Sequence, residues 1–144
     1  MELAHIADFV VTVAEAIEIG ARRVIPITGG EALGPKLRGR ILAAGADFQT
    51  VRADEVAELH ARYVLETTDG ALVYVENVGL RHGPAEAMEK IKRGEPVDPA
   101  LIYCRTTPRF ETADERYRWL TRYLFVADVA RRPDRVEIAI YQIL

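Results

Sequence analysis

Asp47, Arg81, His82 and Arg105 are the side chains of this sequence whose types could together do chemistry. A carboxylate or an imidazole can move a proton on carbon or oxygen, and a guanidinium can hold the carboxylate, enolate or phenolate that remains. Asp47 and His82 are therefore the candidate acid–base pair, with Arg81 and Arg105 as the candidate anion-holding groups. Phe48, Tyr63 and Trp119 are candidates for the apolar wall of the same pocket. With two arginines close by, Asp47 is expected to stay ionised at neutral pH. The competing reading is an ion-pair network that fastens a helix-bearing loop to the sheet.

Arg105 belongs to the stretch Tyr103–Thr112. As a strand, this stretch puts Tyr103, Arg105, Thr107, Arg109 and Glu111 on one face and Ile102, Cys104, Thr106 and Phe110 on the other. The first face is rich in charge. It is either a solvated outer surface or a wall that points in part into a pocket for an anionic or hydroxylated molecule.

Other chemistries are absent from the sequence. There is no serine, hence no serine nucleophile, and the single cysteine, Cys104, excludes a cysteine pair for zinc or redox work. His5, His60 and His82 lack metal-ligand spacing, and Gly29-Gly30 and Gly34 do not form a phosphate-cradling pattern. No metal and no cofactor is expected. Cys104 reads as a packing residue on the apolar face of its strand.

At 144 residues the chain is the size of one domain, so residues 1–144 are taken as a single unit. A net charge of −3 supplies no basic field for nucleic acid. No apolar run is long enough to span a bilayer, and the first residues lack the basic start of a signal peptide. One cysteine, incapable of an internal disulfide, fits a reducing compartment and predicts the cytoplasm.

The elements that must position these groups are mainly strands. Alternation predicts strands near residues 4–13, 22–28, 36–43, 58–67, 71–80, 103–112, 120–130 and 135–144. Gly29-Gly30 is expected to break the second, and Gly45–Phe48 to form a loop beyond the third that presents Asp47. Asp69-Gly70 between two strand-like runs is a hairpin signal. Gly83-Pro84 at the front and Gly94 behind predict one helix over 84–93. Thr112–Glu115 matches a capping box for a short helix carrying Tyr117 and Trp119. The pattern predicts an all-β, antiparallel up-and-down barrel of about eight strands with one or two short helices.

Five strings, in order, resemble one bacterial and fungal family, DUF3237 or UPF0311. They are Val24–Gly30 (VIPITGG), Gly34–Gly39 (GPKLRG), Gly45–Phe48 (GADF), Gly79–Pro84 (GLRHGP) and Arg105–Thr112 (RTTPRFET). The resemblance spans nearly the whole chain and implies a compact, mostly antiparallel β-barrel, with no general activity assigned to the family. Where the family commonly shows Gly-Gly-Ala-Asp-Trp, this chain has Ala44-Gly45-Ala46-Asp47-Phe48. Together these features suggest a small acidic or hydroxylated ligand in the barrel, with cofactor-independent proton transfer (isomerase, lyase or hydrolase). A non-catalytic carrier or sensor and a structural dimerisation module are the alternatives. The apolar C-terminal run, Ile138, Ile140, Ile143 and Leu144, predicts a homodimer or larger assembly.

Overall fold

The computed structural model describes residues 1–144. Its strands are β1 (Leu3–Val13), β2 (Ile17–Ile19), β3 (Arg22–Leu33), β4 (Gly39–Val51), β5 (Ala57–Thr67), β6 (Leu72–His82), β7 (Tyr103–Glu111), β8 (Phe125–Arg131) and β9 (Arg135–Ile143). Helix α1 (Ala85–Lys92) joins β6 to β7, and 3-10 turns occupy Pro99–Leu101 and Glu115–Thr121. Every pairing is antiparallel, in the order β1-β9-β8-β7-β6-β5-β4-β3, and β1 pairs with β3 to close an eight-stranded barrel. The short β2 adds on outside, along β3. No helix is long and apolar enough to cross a membrane.

Closure needs strongly bent strands, and two glycines supply the bends. Gly30 (φ +144°) lies where β1 meets β3, and a Cβ there would sit 2.2 Å from the Val10 carbonyl oxygen. Gly45 (φ +133°) lies at a register shift between β4 and β5, and its Cβ would sit 2.1 Å from the Arg62 carbonyl oxygen. Only glycine permits both the backbone angle and the approach. Both positions therefore run inside strands, where sequence reasoning expected a break at Gly29-Gly30 and a loop at Gly45–Phe48.

The barrel interior is divided along its axis. At one end Phe9, Leu65, Val73, Phe110, Phe125 and Ile140 interlock, and Leu37 and Leu120 from the flanking turns complete the cluster. Each large apolar side chain buried this way contributes about 1.5–3 kcal/mol. The hairpin turn at this end is tied to the Glu115–Thr121 turn, because Asp69 accepts hydrogen bonds from Thr67 Oγ1 (2.6 Å) and Tyr117 Oη (2.7 Å). At the other end α1 buries Ala87 and Ile91 and sets Met88 against the small cluster Ala57, Leu59 and Cys104.

Several expected elements shift. The seventh predicted run begins at Phe125 instead of Leu120, because Glu115–Thr121 coils as a 3-10 turn capped by Asp114. In β9, Ile138 and Ile140 turn inward and are buried, so half of the apolar run that suggested assembly belongs to the core. An outward apolar row instead lies on β6, where Leu72, Tyr74, Val78 and Leu80 are exposed.

Gly45→Ala is expected to destabilise the fold by at least the about 1–3 kcal/mol of backbone strain, plus the clash with β5. Gly70→Ala, in a turn with φ +90° and open space around its Cβ, carries only the strain. Urea denaturation of the two variants should therefore rank Gly45→Ala clearly lower in stability, and equal losses would contradict this account of the bend.

Candidate functional site

The end of the barrel where β1, β4, β6 and β8 finish is not packed solid. It holds a cavity of about 50 Å³. Its lining has two sectors. Val11, Val13, Ile25, Ile27, Val136 and Ile138, on the contiguous strands β3, β1 and β9, form an aliphatic wall. Asp47 and Gln49 (β4), Tyr63 (β5), Asn77 and Arg81 (β6) and Thr106 (β7), on the opposite contiguous strands, form a polar wall. Strand β8 closes the ring with Val129 and, at its end, Arg131.

Strand parity explains the polar wall. Asp47 and Gln49 are two apart on β4 and share its inner face, as do Asn77 and Arg81 on β6, in step with Val73 and Val75. Within the wall, Asp47 Oδ1 accepts the His60 backbone N–H (3.1 Å) and Oδ2 accepts Gln49 Nε2 (2.7 Å). Gln49 in turn accepts from Arg81 Nη2 at 3.3 Å. The carboxylate and the guanidinium thus communicate through an amide, with no direct ion pair between them.

Burial dominates the electrostatics. It pushes the Asp47 carboxyl above the usual carboxylate range, against the opposing hydrogen bonds from Gln49 and His60 and the charges of Arg81 and Arg131. The expectation that the arginines would win is corrected: taking the carboxylate out of water outweighs them. Burial likewise lowers Arg81 and Arg131, each further strained by a neighbouring arginine. Tyr63 is raised by burial and then by Asp47. Cys104 is pushed up to about 11, chiefly by burial, as befits a packing residue.

Positive charge exceeds negative at this end. Arg23 is paired with Glu18 of β2 (3.2 Å), whereas the Arg131 guanidinium donates only to main-chain carbonyls of Arg132 and Arg135. Arg81 meets only the Gln49 amide. Four buried atoms of the cavity wall find no protein partner at all: Tyr63 Oη, Asn77 Oδ1, Arg81 Nε and Thr106 Oγ1. An unsatisfied buried polar group costs about 1–3 kcal/mol, and a domain has only about 5–15 kcal/mol of net stability. Four together around one cavity call for water or a ligand inside it to answer them.

Of the residues expected to gather here, Asp47, Arg81 and Tyr63 do. The others do not, each for a reason of parity or position. His82 follows Arg81 and so faces outward, stacked on Tyr103 at 4.8 Å between ring centres. Arg105 precedes Thr106 and lies outside, paired with Asp128 at 2.8 Å and over the Tyr103 ring. Phe48, between Asp47 and Gln49, is exposed on the outer surface. Trp119 packs near Phe125 and under Lys36 at the apolar end. The charged face of β7 is thus the solvated one. Gln49, Asn77, Thr106, Arg131 and Arg23 were not anticipated. Their signal was a polar residue on the apolar parity of a strand.

The model for the family described as "Protein of unknown function (DUF3237)" matches residues 1–143. The chain belongs to the DUF3237 family. A UPF0311 protein of Rhodopseudomonas palustris is 56% identical over 98% of this chain and 91% of its own length. A crystal structure of a conserved R. palustris protein of unknown function superimposes with TM-score 0.96 at 51% identity, covering 99% of this chain and 97% of the other. A crystal structure of an enzyme from Penicillium herquei shares the barrel with TM-score 0.68 at 19% identity, over 96% and 93% of the two chains. At that identity the likeness is one of fold.

Asp47 supplies a pH test. A carboxyl whose pKa is raised on folding gives a folded state that holds more protons than the unfolded chain, from about pH 4 up to the raised value. Stability should fall as pH rises through that window. Asp47→Asn should remove this slope, so its stability relative to the parent should improve from pH 4 upward and then level off. Denaturant titrations between pH 4 and 8 that gave parallel curves would contradict the burial of this charge.

Proposed function

We propose that the polar end of the barrel binds a small organic anion and that Asp47 moves a proton on it. The observation that carries this reading is the set of four unpartnered polar atoms, on adjacent strands β5, β6 and β7, around one cavity. Arg81 is the anion-holding group: its Nε–H is unused, and it has no carboxylate partner within the protein. Arg131, two strands away on β8, adds charge to the same cavity.

Asp47, fixed by His60 N–H and Gln49, stands on the same wall. Its ionised form can take a proton from an O–H or C–H of the ligand, forming the carboxylic acid while the electron pair stays on the ligand as an oxyanion or enolate. Arg81 stabilises that charge. His82 has no part in this, since it lies outside the barrel, and no cofactor is invoked. The carrier reading keeps the binding and drops the proton transfer.

Titration calorimetry with acetate, propanoate and butanoate tests the site. Binding is expected in the parent, with loss of at least tenfold in affinity for Arg81→Met. An anion arriving beside Asp47 further disfavours its charge, so binding above about pH 4, where the raised carboxyl titrates, should take up protons, visible as a dependence of the heat on buffer ionisation enthalpy. Asp47→Asn should abolish the uptake. If none of these anions bound, the functional reading would fail; if they bound without proton uptake, the role of Asp47 would fail and the carrier reading would stand.

A further inference from the structure

The two-sided lining narrows the ligand further. We infer that the cavity takes a short-chain aliphatic hydroxy acid, an inference that rests on the anion-binding reading above and specifies its substrate class. Three observations carry it: the donor and acceptor character of the unpartnered atoms, the placement of the aliphatic sector, and the size of the space.

Arg81 Nε is a donor only, and it calls for a carboxylate or other acceptor oxygen. Asn77 Oδ1 is an acceptor only, and it calls for a donor. With the Asn77 amide in this orientation, a simple carboxylate satisfies the first and leaves the second unpaired. A hydroxyl on the same molecule answers Asn77. The hydroxyls of Tyr63 and Thr106 can each donate or accept, so they adapt to whichever oxygen lies nearest. Both halves of the pairing belong to one strand: Asn77 and Arg81 are four residues apart on β6, on the same face. That is about 13 Å of strand, a span the long arginine side chain shortens by reaching back.

The body of the ligand faces the aliphatic sector. Val11, Ile25, Ile27 and Ile138 offer methyl groups and no hydrogen-bonding atoms, so the part opposite the carboxylate and hydroxyl must be alkyl. No aromatic side chain lines that sector, and Tyr63 stands on the polar wall. Size sets the last limit. About 10–15 Å³ of such volume holds one water, so about 50 Å³ is room for roughly three to five waters, or about five to seven non-hydrogen atoms once covalent bonds of about 1.5 Å replace hydrogen-bond spacings of about 2.8 Å. Hydroxy acids of the lactate and 2-hydroxybutyrate type meet all three demands, while longer acids and hydroxylated aromatic acids exceed the space.

Calorimetry with 2-hydroxybutyrate, butanoate and 2-hydroxyoctanoate, on the parent and on Asn77→Leu, tests the inference. In the parent, 2-hydroxybutyrate should bind about tenfold more tightly than butanoate, as one good hydrogen bond to a buried acceptor requires, and 2-hydroxyoctanoate should not bind. Asn77→Leu should erase the preference and leave butanoate binding in place. Should Asn77→Leu fail to fold, Thr106→Val is the second variant, expected to narrow the preference without abolishing anion binding. Equal affinity for the two four-carbon acids, or tight binding of the eight-carbon acid, would overturn the hydroxy-acid class while leaving the anion site intact. Absence of binding by every acid would overturn the anion site itself.

Discussion

A charge placed inside a barrel has to be answered inside it, and the rest of this structure follows from how Asp47 and Arg81 are answered. They do not form an ion pair. Gln49 stands between them, donating to the carboxylate and accepting from the guanidinium, and His60 gives Asp47 a second hydrogen bond from the main chain of β5. Each charged group is held in place without being neutralised. Burial raises Asp47 and lowers Arg81. Both therefore stay responsive to a third charge, which a salt bridge would have prevented.

Such a wall is destabilising, and the fold offsets it elsewhere. The apolar end interlocks Phe9, Phe110, Phe125, Leu65 and Ile140 with plugs from the turns, and the turn at Asp69 is fastened to the 3-10 segment through Tyr117. Closure of the sheet removes free edges along the eight barrel strands. Stability is concentrated at one end and chemical potential at the other, with the two glycine bends at Gly30 and Gly45 shaping the sheet that holds both.

Much of the fold was legible in the sequence because alternation and turn chemistry are local. The hairpin at Asp69-Gly70, the helix before Gly94 and the all-β barrel follow from residues within a few positions of one another. The limits of β3 and β4 were not legible, because the glycines at 30 and 45, of a type that usually ends strands, here permit close strand approach, which is a tertiary fact. The site divided along the same line. The charged face of β7, where Arg105 and Glu111 are solvated, is the conspicuous one in the sequence, while the informative residues are the polar interruptions of apolar faces: Thr106 beside Cys104 and Phe110, and Asn77 in step with Val73 and Val75. Motif adjacency drew His82 in with Arg81 and Phe48 in with Asp47, although neighbours on a strand must face opposite ways.

A wall kept for a ligand and a wall kept for stability respond oppositely to replacement by apolar groups of similar size, and this contrast gives the most direct test. In Asp47→Leu/Gln49→Leu/Arg81→Met the three side chains leave together, and only the His60 main-chain N–H loses its acceptor, at a cost of about 1–3 kcal/mol. Replacing buried charged groups by well-packed apolar ones is often neutral or stabilising, by about 1–4 kcal/mol. The equilibrium unfolding free energy of the triple variant at pH 7, measured in urea, should equal or exceed that of the parent, with anion binding lost. A triple variant that folds but is several kcal/mol less stable would contradict the account and make the polar wall a structural element of the barrel.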